Sequence, residues 1–122
     1  MEQDIFILDG ARTAIGTFGG ALSTFTPADL GVIAAKSAIE RSGVVAADID
    51  NAVAGNVIPN SPRDLYLGRV IGMESGLPAS APGLTLNRLC GSGAQAIATA
   101  ASMIRAGEST LALAVGSEVM SR

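Results

Sequence analysis

The sequence predicts an α/β fold whose sheet is mostly parallel and covered by helices on both faces. Strand-like and helix-like stretches alternate along the 122 residues. Two of the strand-like stretches, 4–8 and 111–115, are almost continuously apolar, which is typical of strands buried on both faces. Because 48% of the chain is hydrophobic, it can bury the core of one small domain, which excludes a disordered chain.

The first half of the chain predicts a strand, a loop and a helix. The apolar run 4–8 is the predicted first strand, and the glycine-rich loop 9–22 follows it. This loop lacks the Gly-Lys-Ser/Thr ending of a phosphate-binding P-loop, so we interpret it as a structural connection. Thr26 and Pro27 supply the N-cap and first helical position of a helix that Gly43 ends. The expected buried face of this helix carries Leu30, Ile33, Ala34 and Ala38.

The second half predicts three more strands and two more helices. Ser61 and Pro62 repeat the pattern that starts the first helix, and Gly76 ends the helix that follows them. The predicted strands are 50–58, 84–86 and 111–115, and the predicted helices are 65–75 and 94–106. A tight turn from Cys90 to Gly93 joins the strand 84–86 to the last helix.

Cys90 is the single cysteine of the chain, and it lies where a predicted strand passes into a helix. The first backbone N–H groups of a helix have no acceptor inside the helix, and the macrodipole is positive there. Both effects favour an anion, so a thiolate is favoured at this position. The glycines at 91 and 93 allow a substrate and the backbone to come close. Cys90 is therefore the candidate nucleophile.

The helix after Cys90 is apolar on almost every side. Its weakly polar residues form only a thin stripe of Gln95, Thr99 and Ser102. A helix of this kind is expected to be buried almost all round. The cysteine is then held on a central, rigid element of the fold, which is where a catalytic group is positioned most accurately.

Composition bounds the partners and the compartment. The net charge of −3 argues against nucleic acid and anionic membranes as partners. One cysteine cannot form an internal disulfide, and the acidic start indicates no signal peptide, so we expect a reducing, cytoplasmic location. The sequence has no histidine, so the proton-transfer partner of Cys90 must come from outside these residues. No metal site is expected.

Two other interpretations of the turn stay open from the residues alone. A lone cysteine is often a small buried hydrophobic residue with no chemical role. The run from Gly91 to Ala96 also fits G-x-G-x-x-A, the dinucleotide-binding pattern, and Glu118 follows the next strand, where a ribose-binding acid would lie. That pattern leaves the cysteine unexplained and usually opens its domain.

Several stretches of the chain resemble one enzyme family. Asn87–Ala96 is similar to the nucleophile motif of the thiolases, and Asp9–Thr13, with the glycines that follow it, resembles the opening of that family. Gly55–Val57 and Gly116–Ser121 resemble the ends of its second strand and of the strand after the nucleophile helix. The stretch 58–69 is most similar to the bacterial β-ketothiolases. The resemblance covers essentially the whole chain in register; Ser117 and Ala14 depart from it without touching the proposed chemistry.

The resemblance implies a thiolase-like layered fold with a mostly parallel mixed sheet and a buried central helix. Family members are much longer, so residues 1–122 would be the first part of the N-terminal thiolase domain. The remainder of that domain and the C-terminal domain would lie outside these residues. A homodimer or homotetramer is also expected from the resemblance.

The activity implied is reversible Claisen condensation of two acyl-CoA molecules through an acyl-thioester on Cys90. The Cys90 backbone N–H would form half of an oxyanion hole. Coenzyme A and acyl-CoA are expected as substrates and no cofactor as a permanent group. Most coenzyme A contacts, the activating histidine and a second cysteine would lie beyond residue 122, so residues 1–122 alone are expected to be inactive. A role in fatty acid metabolism would follow. Decarboxylating ketosynthases, which also carry a nucleophile at a helix start, are the alternative enzyme class.

Overall fold

A computed structural model describes residues 3–122 of the chain. The helices are α1 (Pro27–Ser42), α2 (Leu67–Glu74) and α3 (Ser92–Arg105), and the strands are β1 (Asn51–Gly55), β2 (Gly83–Leu86) and β3 (Ala112–Gly116). Two short 3-10 helices, Ala46–Asp48 and Pro62–Tyr66, precede β1 and α2. The α/β class and all three helices predicted from the sequence are confirmed.

The three strands form one parallel sheet in the order β2-β1-β3. Val53 at the centre of β1 pairs with Leu84 of β2 on one side and with Ala114 of β3 on the other. The chain first moves from β1 through α2 to β2, and then returns through α3 to β3 on the far side of β1. The direction of winding therefore reverses between β1 and β3, which defines a topological switch point at their carboxyl ends.

The helices cover the sheet in two layers. On one face, Ala52 and Ala54 of β1 pack in a core with Leu67 and Ile71 of the α2 region, and α1 packs behind them. On the other face, Val53 packs with Ala96 and Ala100 of α3. Because side chains alternate between the faces of a strand, β1 contributes to both cores and is the most completely buried element.

The start of α1 follows the sequence prediction, but its buried face does not. Thr26 and Asp29 form a capping box, in which each side chain accepts a hydrogen bond from the other residue's backbone N–H. The residues that α1 buries are Pro27, Ala28, Gly31 and Ala35, not the predicted set, and Ile33 is 50% exposed. Gly31 packs directly against Ile71 of α2, so α1 turns this face toward α2. Leu30, Ala34 and Ala38 of the predicted face are only half-buried.

The first predicted strand does not form. Residues 3–17 have no regular secondary structure, and Phe6 and Ile7 are each more than three-quarters exposed. A strand needs a hydrogen-bonded neighbour, and no described residue pairs with this segment. The segment instead bounds an open cavity of about 1330 Å³, whose other walls are α1, α3 and β3.

The helix α3 is buried on one side only. Ser92, Ala96 and Ala100 face the sheet and are buried, whereas Ile97 on the opposite side is 48% exposed and lines the same cavity. The expectation that this helix is buried all round was therefore wrong for the described residues, because no described element covers its outer face. None of the helices in residues 3–122 is long and apolar enough to cross a bilayer.

Asp50 joins the starts of β1 and β3 by hydrogen bonds. Its carboxylate accepts hydrogen bonds from the Ser109 hydroxyl at 2.5 Å, from the Thr110 N–H at 2.9 Å and from the Thr110 hydroxyl at 2.8 Å. Burial alone would raise the pKa of Asp50, but these hydrogen bonds, with one from the Leu111 N–H, outweigh burial and lower the pKa below its ordinary value of 3.8.

This lowered pKa predicts a specific acid sensitivity. A carboxyl with a depressed pKa stabilises the fold above its unfolded-state pKa, and the stabilisation is lost as the pH falls below 3.8 toward the folded-state value. We expect Asp50→Asn to lower the free energy of unfolding by about 1–2 kcal/mol at neutral pH. The variant should also lose less stability than the wild type between pH 4 and pH 2. Thermal unfolding across pH measures both, and Asp48→Asn is the control because Asp48 is exposed.

Candidate active site

The turn that carries Cys90 lies between the end of β2 at Leu86 and the start of α3 at Ser92. Cys90 is exposed, so its sulfur is not sealed inside the core. Gly91 is the N-cap of α3, which places the cysteine one residue before the N-cap. The predicted position of the thiol, at a strand-to-helix junction beside a helix N-terminus, is the one that the structure shows.

Two glycines at the carboxyl ends of the strands fix where α3 begins. Gly55 of β1 and Gly116 of β3 are direct neighbours across the two strands. A Cβ at position 55 would lie 2.5 Å from the Ser92 carbonyl oxygen, and one at position 116 would lie 3.0 Å from the Gly93 Cα. The first turn of α3 therefore rests directly on the backbone of both strands, at the switch point of the sheet, where α/β folds bind ligands.

The residue before Cys90 has an unusual backbone. Leu89 has φ of 50°, and it is the only non-glycine residue with positive φ in residues 3–122. Holding a leucine there costs about 1–3 kcal/mol, and such strain clusters at functional sites. Its side chain is 68% exposed, so packing contributes little to holding it. Hydrogen bonds hold it: the Leu89 N–H donates to Asn87 Oδ1 at 2.9 Å, and the Ser92 hydroxyl donates to the Leu89 carbonyl at 2.7 Å.

Some amides around the cysteine are occupied and others are open. The Gly91 N–H donates to the Arg88 carbonyl, and the Ser92 N–H donates to the Leu89 carbonyl, each at 3.0 Å. Among the described residues, by contrast, no protein acceptor is found for the N–H groups of Cys90, Gly93 and Ala94. The site therefore offers unpaired donors beside an exposed thiol. This arrangement suits attack of sulfur on a carbonyl carbon, because the donors can stabilise the charge that develops on oxygen.

The dinucleotide interpretation does not agree with these contacts. The Glu118 carboxylate accepts from Asn56 Nδ2 at 2.5 Å and from the Val57 N–H at 2.9 Å, with a longer contact to the Ile58 N–H. Its oxygens thus connect the chain after β3 to the chain after β1. They are already hydrogen-bonded and are not free to bind a ribose hydroxyl. The N–H of Gly91, the first glycine of the pattern, is also occupied.

Cys90 is a candidate nucleophile without a histidine partner among the described residues. The chain has no histidine. The nearest cation along the chain, Arg88, hydrogen-bonds the Gln95 side chain in the first turn of α3. No group of three or more metal-ligating side chains occurs within residues 3–122.

Two residues that support the turn, Asn87 and Ser92, had no role in the sequence prediction beyond membership of a motif. Asn87 Nδ2 also donates to the Val57 carbonyl at 3.1 Å, so it connects the turn to the chain after β1. The Ser92 hydroxyl also accepts from the Arg88 N–H at 2.8 Å. A polar residue two or three positions from a candidate nucleophile is the one signal in the sequence that indicates such contacts.

Fold and site together define an α/β protein with a single exposed thiol at a helix start over the switch point of its sheet. Comparison with known families gives a match to the thiolase N-terminal domain over residues 5–122. The chain belongs to the thiolase family.

Individual relatives agree with this assignment. The chain is 48% identical over 122 residues to the β-ketothiolase BktB of Cupriavidus necator and 39% identical over 120 residues to the human mitochondrial 3-ketoacyl-CoA thiolase. This chain superimposes on the crystal structure of the human enzyme in complex with CoA with a TM-score of 0.83. The match covers 85% of this chain and 26% of the human chain. The match to the crystal structure of the Bacillus anthracis acetyl-CoA acetyltransferase, which is 35% identical, has a TM-score of 0.81. It covers 90% of this chain and 28% of the Bacillus chain. The alignment with the Cupriavidus relative includes this whole chain but only 31% of the length of that relative.

Proposed function

We propose that this chain supplies the nucleophile-bearing part of an acyl-CoA thiolase, which interconverts two acyl-CoA molecules with a 3-ketoacyl-CoA and CoA. The observation that carries the proposal is the exposed Cys90 at the start of α3, whose N–H has no acceptor among residues 3–122. Membership of the thiolase family supports it. So do the names of the relatives, which are β-ketothiolases, 3-ketoacyl-CoA thiolases and acetyl-CoA acetyltransferases.

In the proposed reaction, the Cys90 thiolate attacks the carbonyl carbon of an acyl-CoA thioester. The tetrahedral intermediate carries its negative charge on oxygen, and the Cys90 N–H is placed to donate to that oxygen, aided by the positive end of the α3 dipole. Collapse of the intermediate breaks the carbon–sulfur bond to CoA, which leaves as a thiolate, and the acyl group stays on Cys90. The α-carbanion of a second acyl-CoA then attacks this thioester, forms the new carbon–carbon bond and releases the Cys90 thiolate.

The remaining catalytic groups belong to the proposal and not to the described site. The base that activates the nucleophile and the acid/base group for the second substrate come from the rest of the thiolase polypeptide, since this sequence has no histidine and a single cysteine. A homodimeric or homotetrameric state, a cytoplasmic location and acetyl-CoA as the shortest substrate complete the proposal.

The acyl-enzyme is the direct test. The complete protein is incubated with acetyl-CoA, quenched in acid and digested, and the peptide that contains Cys90 is examined by mass spectrometry. We expect one acetyl group on Cys90, without any malonyl donor, and its loss when free CoA is added. The Cys90→Ser variant is the control for labelling at other positions. An unmodified Cys90 peptide, or acetylation unchanged in the variant, would refute the proposal; a requirement for malonyl-CoA would favour a ketosynthase.

A further inference from the structure

The strained turn before Cys90 is held by two side chains that the chemistry of the site does not itself use. Leu89 has its backbone in the left-handed region, and its exposed side chain contributes little packing that would keep it there. A leucine lacks the short polar side chain that lets asparagine or aspartate occupy this region at lower cost. Whatever holds Leu89 must therefore act on its peptide groups.

The Ser92 hydroxyl acts on both sides of Leu89. It accepts from the N–H of Arg88 at 2.8 Å and donates to the carbonyl of Leu89 at 2.7 Å. One hydroxyl on the far side of Cys90 thus binds the backbone of both residues that precede it. Ser92 is itself 5% exposed, and its carbonyl rests against Gly55 of β1. The position of this hydroxyl is thus set by the sheet and not by the turn that it holds.

Asn87 acts on the other peptide group of Leu89. Its Oδ1 accepts from the Leu89 N–H at 2.9 Å, and its Nδ2 donates to the Val57 carbonyl. Val57 in turn donates its N–H to the Glu118 carboxylate at 2.9 Å. The turn after β2 is thereby tied to the chain that follows β1 and, through Glu118, to the chain that follows β3.

We propose that Ser92 and Asn87 are positioning residues: by holding Leu89 in the left-handed conformation, they present the Cys90 sulfur and the Cys90 N–H, which has no acceptor within residues 3–122, to a substrate. This inference rests on the proposed thiolase function for its catalytic consequence. Its structural content, that the two side chains set the exposure and setting of the sulfur, is independent of that function.

The test compares Ser92→Ala and Asn87→Ala with Ser102→Ala in the complete protein. Ser102 is the matched control, because its hydroxyl also donates to a backbone carbonyl of α3, that of Ala98, but at an exposed position away from the turn. For cleavage of acetoacetyl-CoA by CoA, we expect kcat to fall about 10- to 100-fold in Ser92→Ala, with KM changed less than about threefold. Asn87→Ala should lose kcat in the same way, and Ser102→Ala should keep the wild-type value.

Two further measurements keep the outcomes apart. Asn87 is exposed, so Asn87→Ala decides the question if Ser92→Ala does not fold. The rate at which iodoacetamide alkylates Cys90 needs no enzymatic activity, and we expect it to be about two- to fivefold lower in both turn variants than in Ser102→Ala. A kcat equal to that of the control, or a change in KM alone, overturns the proposal. If the wild type does not cleave acetoacetyl-CoA, the proposed function fails, and equal alkylation rates in all three variants would then overturn the positioning role as well.

Discussion

Replacing Cys90 by serine is expected to lower the rate of acetoacetyl-CoA cleavage in the complete protein by about 10⁴-fold or more. A serine hydroxyl is a much weaker nucleophile than a thiolate, because a hydroxyl gives up its proton far less readily than a thiol. The Cys90 N–H stays in place in this variant, so the donor to the developing oxyanion is retained. The loss would therefore measure the contribution of the sulfur itself. Steady-state kinetics with acetoacetyl-CoA and CoA gives the comparison.

The control for this substitution separates chemistry from folding. Cys90 is exposed, so Cys90→Ser and Cys90→Ala should both unfold within a few degrees of the wild type, because surface substitutions change stability little. Both variants should still bind CoA with close to wild-type affinity. Cleavage at more than about a tenth of the wild-type rate in either variant would show that the sulfur is not the nucleophile. Equal losses of activity and of thermal stability would point to a packing role for Cys90 instead.

The features of the fold that the sequence predicted correctly depend on neighbours along the chain. The capping box of Thr26 with Asp29 and the hydrogen bond from the Ser61 N–H to the Asp64 carboxylate each join residues three positions apart. The starts of α1 and of the 3-10 helix before α2 were therefore visible in the sequence. The strand-to-helix junction at Cys90 was predictable for the same reason. Such local signals act within one turn of chain and need no knowledge of the tertiary structure.

The features that the sequence missed depend on which elements meet in space. The apolar run 4–8 has the composition of a strand, but no described strand pairs with it. The spacing of apolar residues in α1 predicted the wrong buried face, because the contact with α2 buries Ala28, Gly31 and Ala35 instead. In the same way, the outer face of α3 is apolar yet exposed at Ile97. Composition alone indicates that a residue can be buried, whereas packing decides whether it is.

The residues of the candidate site show the same difference between local signals and contacts between distant elements. Cys90 was predictable because residue type, the glycines beside it and a helix start coincide within a few positions. The hydrogen bonds from Asn87 and Ser92 to the Leu89 backbone were not predictable, because they exist only once Leu89 adopts positive φ. The role of Glu118 likewise requires that the ends of β1 and β3 lie side by side. The position of the thiol is therefore encoded locally, whereas the backbone that presents it is held by contacts between three strand ends.

Gly55→Ala should test how strongly the turn that carries Cys90 depends on the sheet beneath it. The added methyl would lie 2.5 Å from the Ser92 carbonyl oxygen and 2.7 Å from the Ser92 carbonyl carbon. These are backbone atoms in the first turn of α3, so no side-chain rotation relieves the clash, and the helix start must move. We expect the free energy of unfolding to fall by about 3 kcal/mol, at the upper end of the usual cost of overpacking.

The same displacement should also reduce catalysis in the molecules that remain folded. The Ser92 hydroxyl moves with its own carbonyl, and the bonds that hold Leu89 and the Cys90 N–H in place are then strained. Since a shift of about 1 Å at a reacting group costs on the order of 100-fold in rate, kcat for acetoacetyl-CoA cleavage should fall about 10- to 100-fold at a temperature where the variant is fully folded. Urea denaturation and steady-state kinetics measure the two effects.

Gly10→Ala is the matched control, because a Cβ at position 10 has no neighbour within 4 Å, so both quantities should stay at their wild-type values. A Gly55→Ala variant that is destabilised but keeps the wild-type kcat would show that the sheet supports the fold of the turn without setting the position of its sulfur.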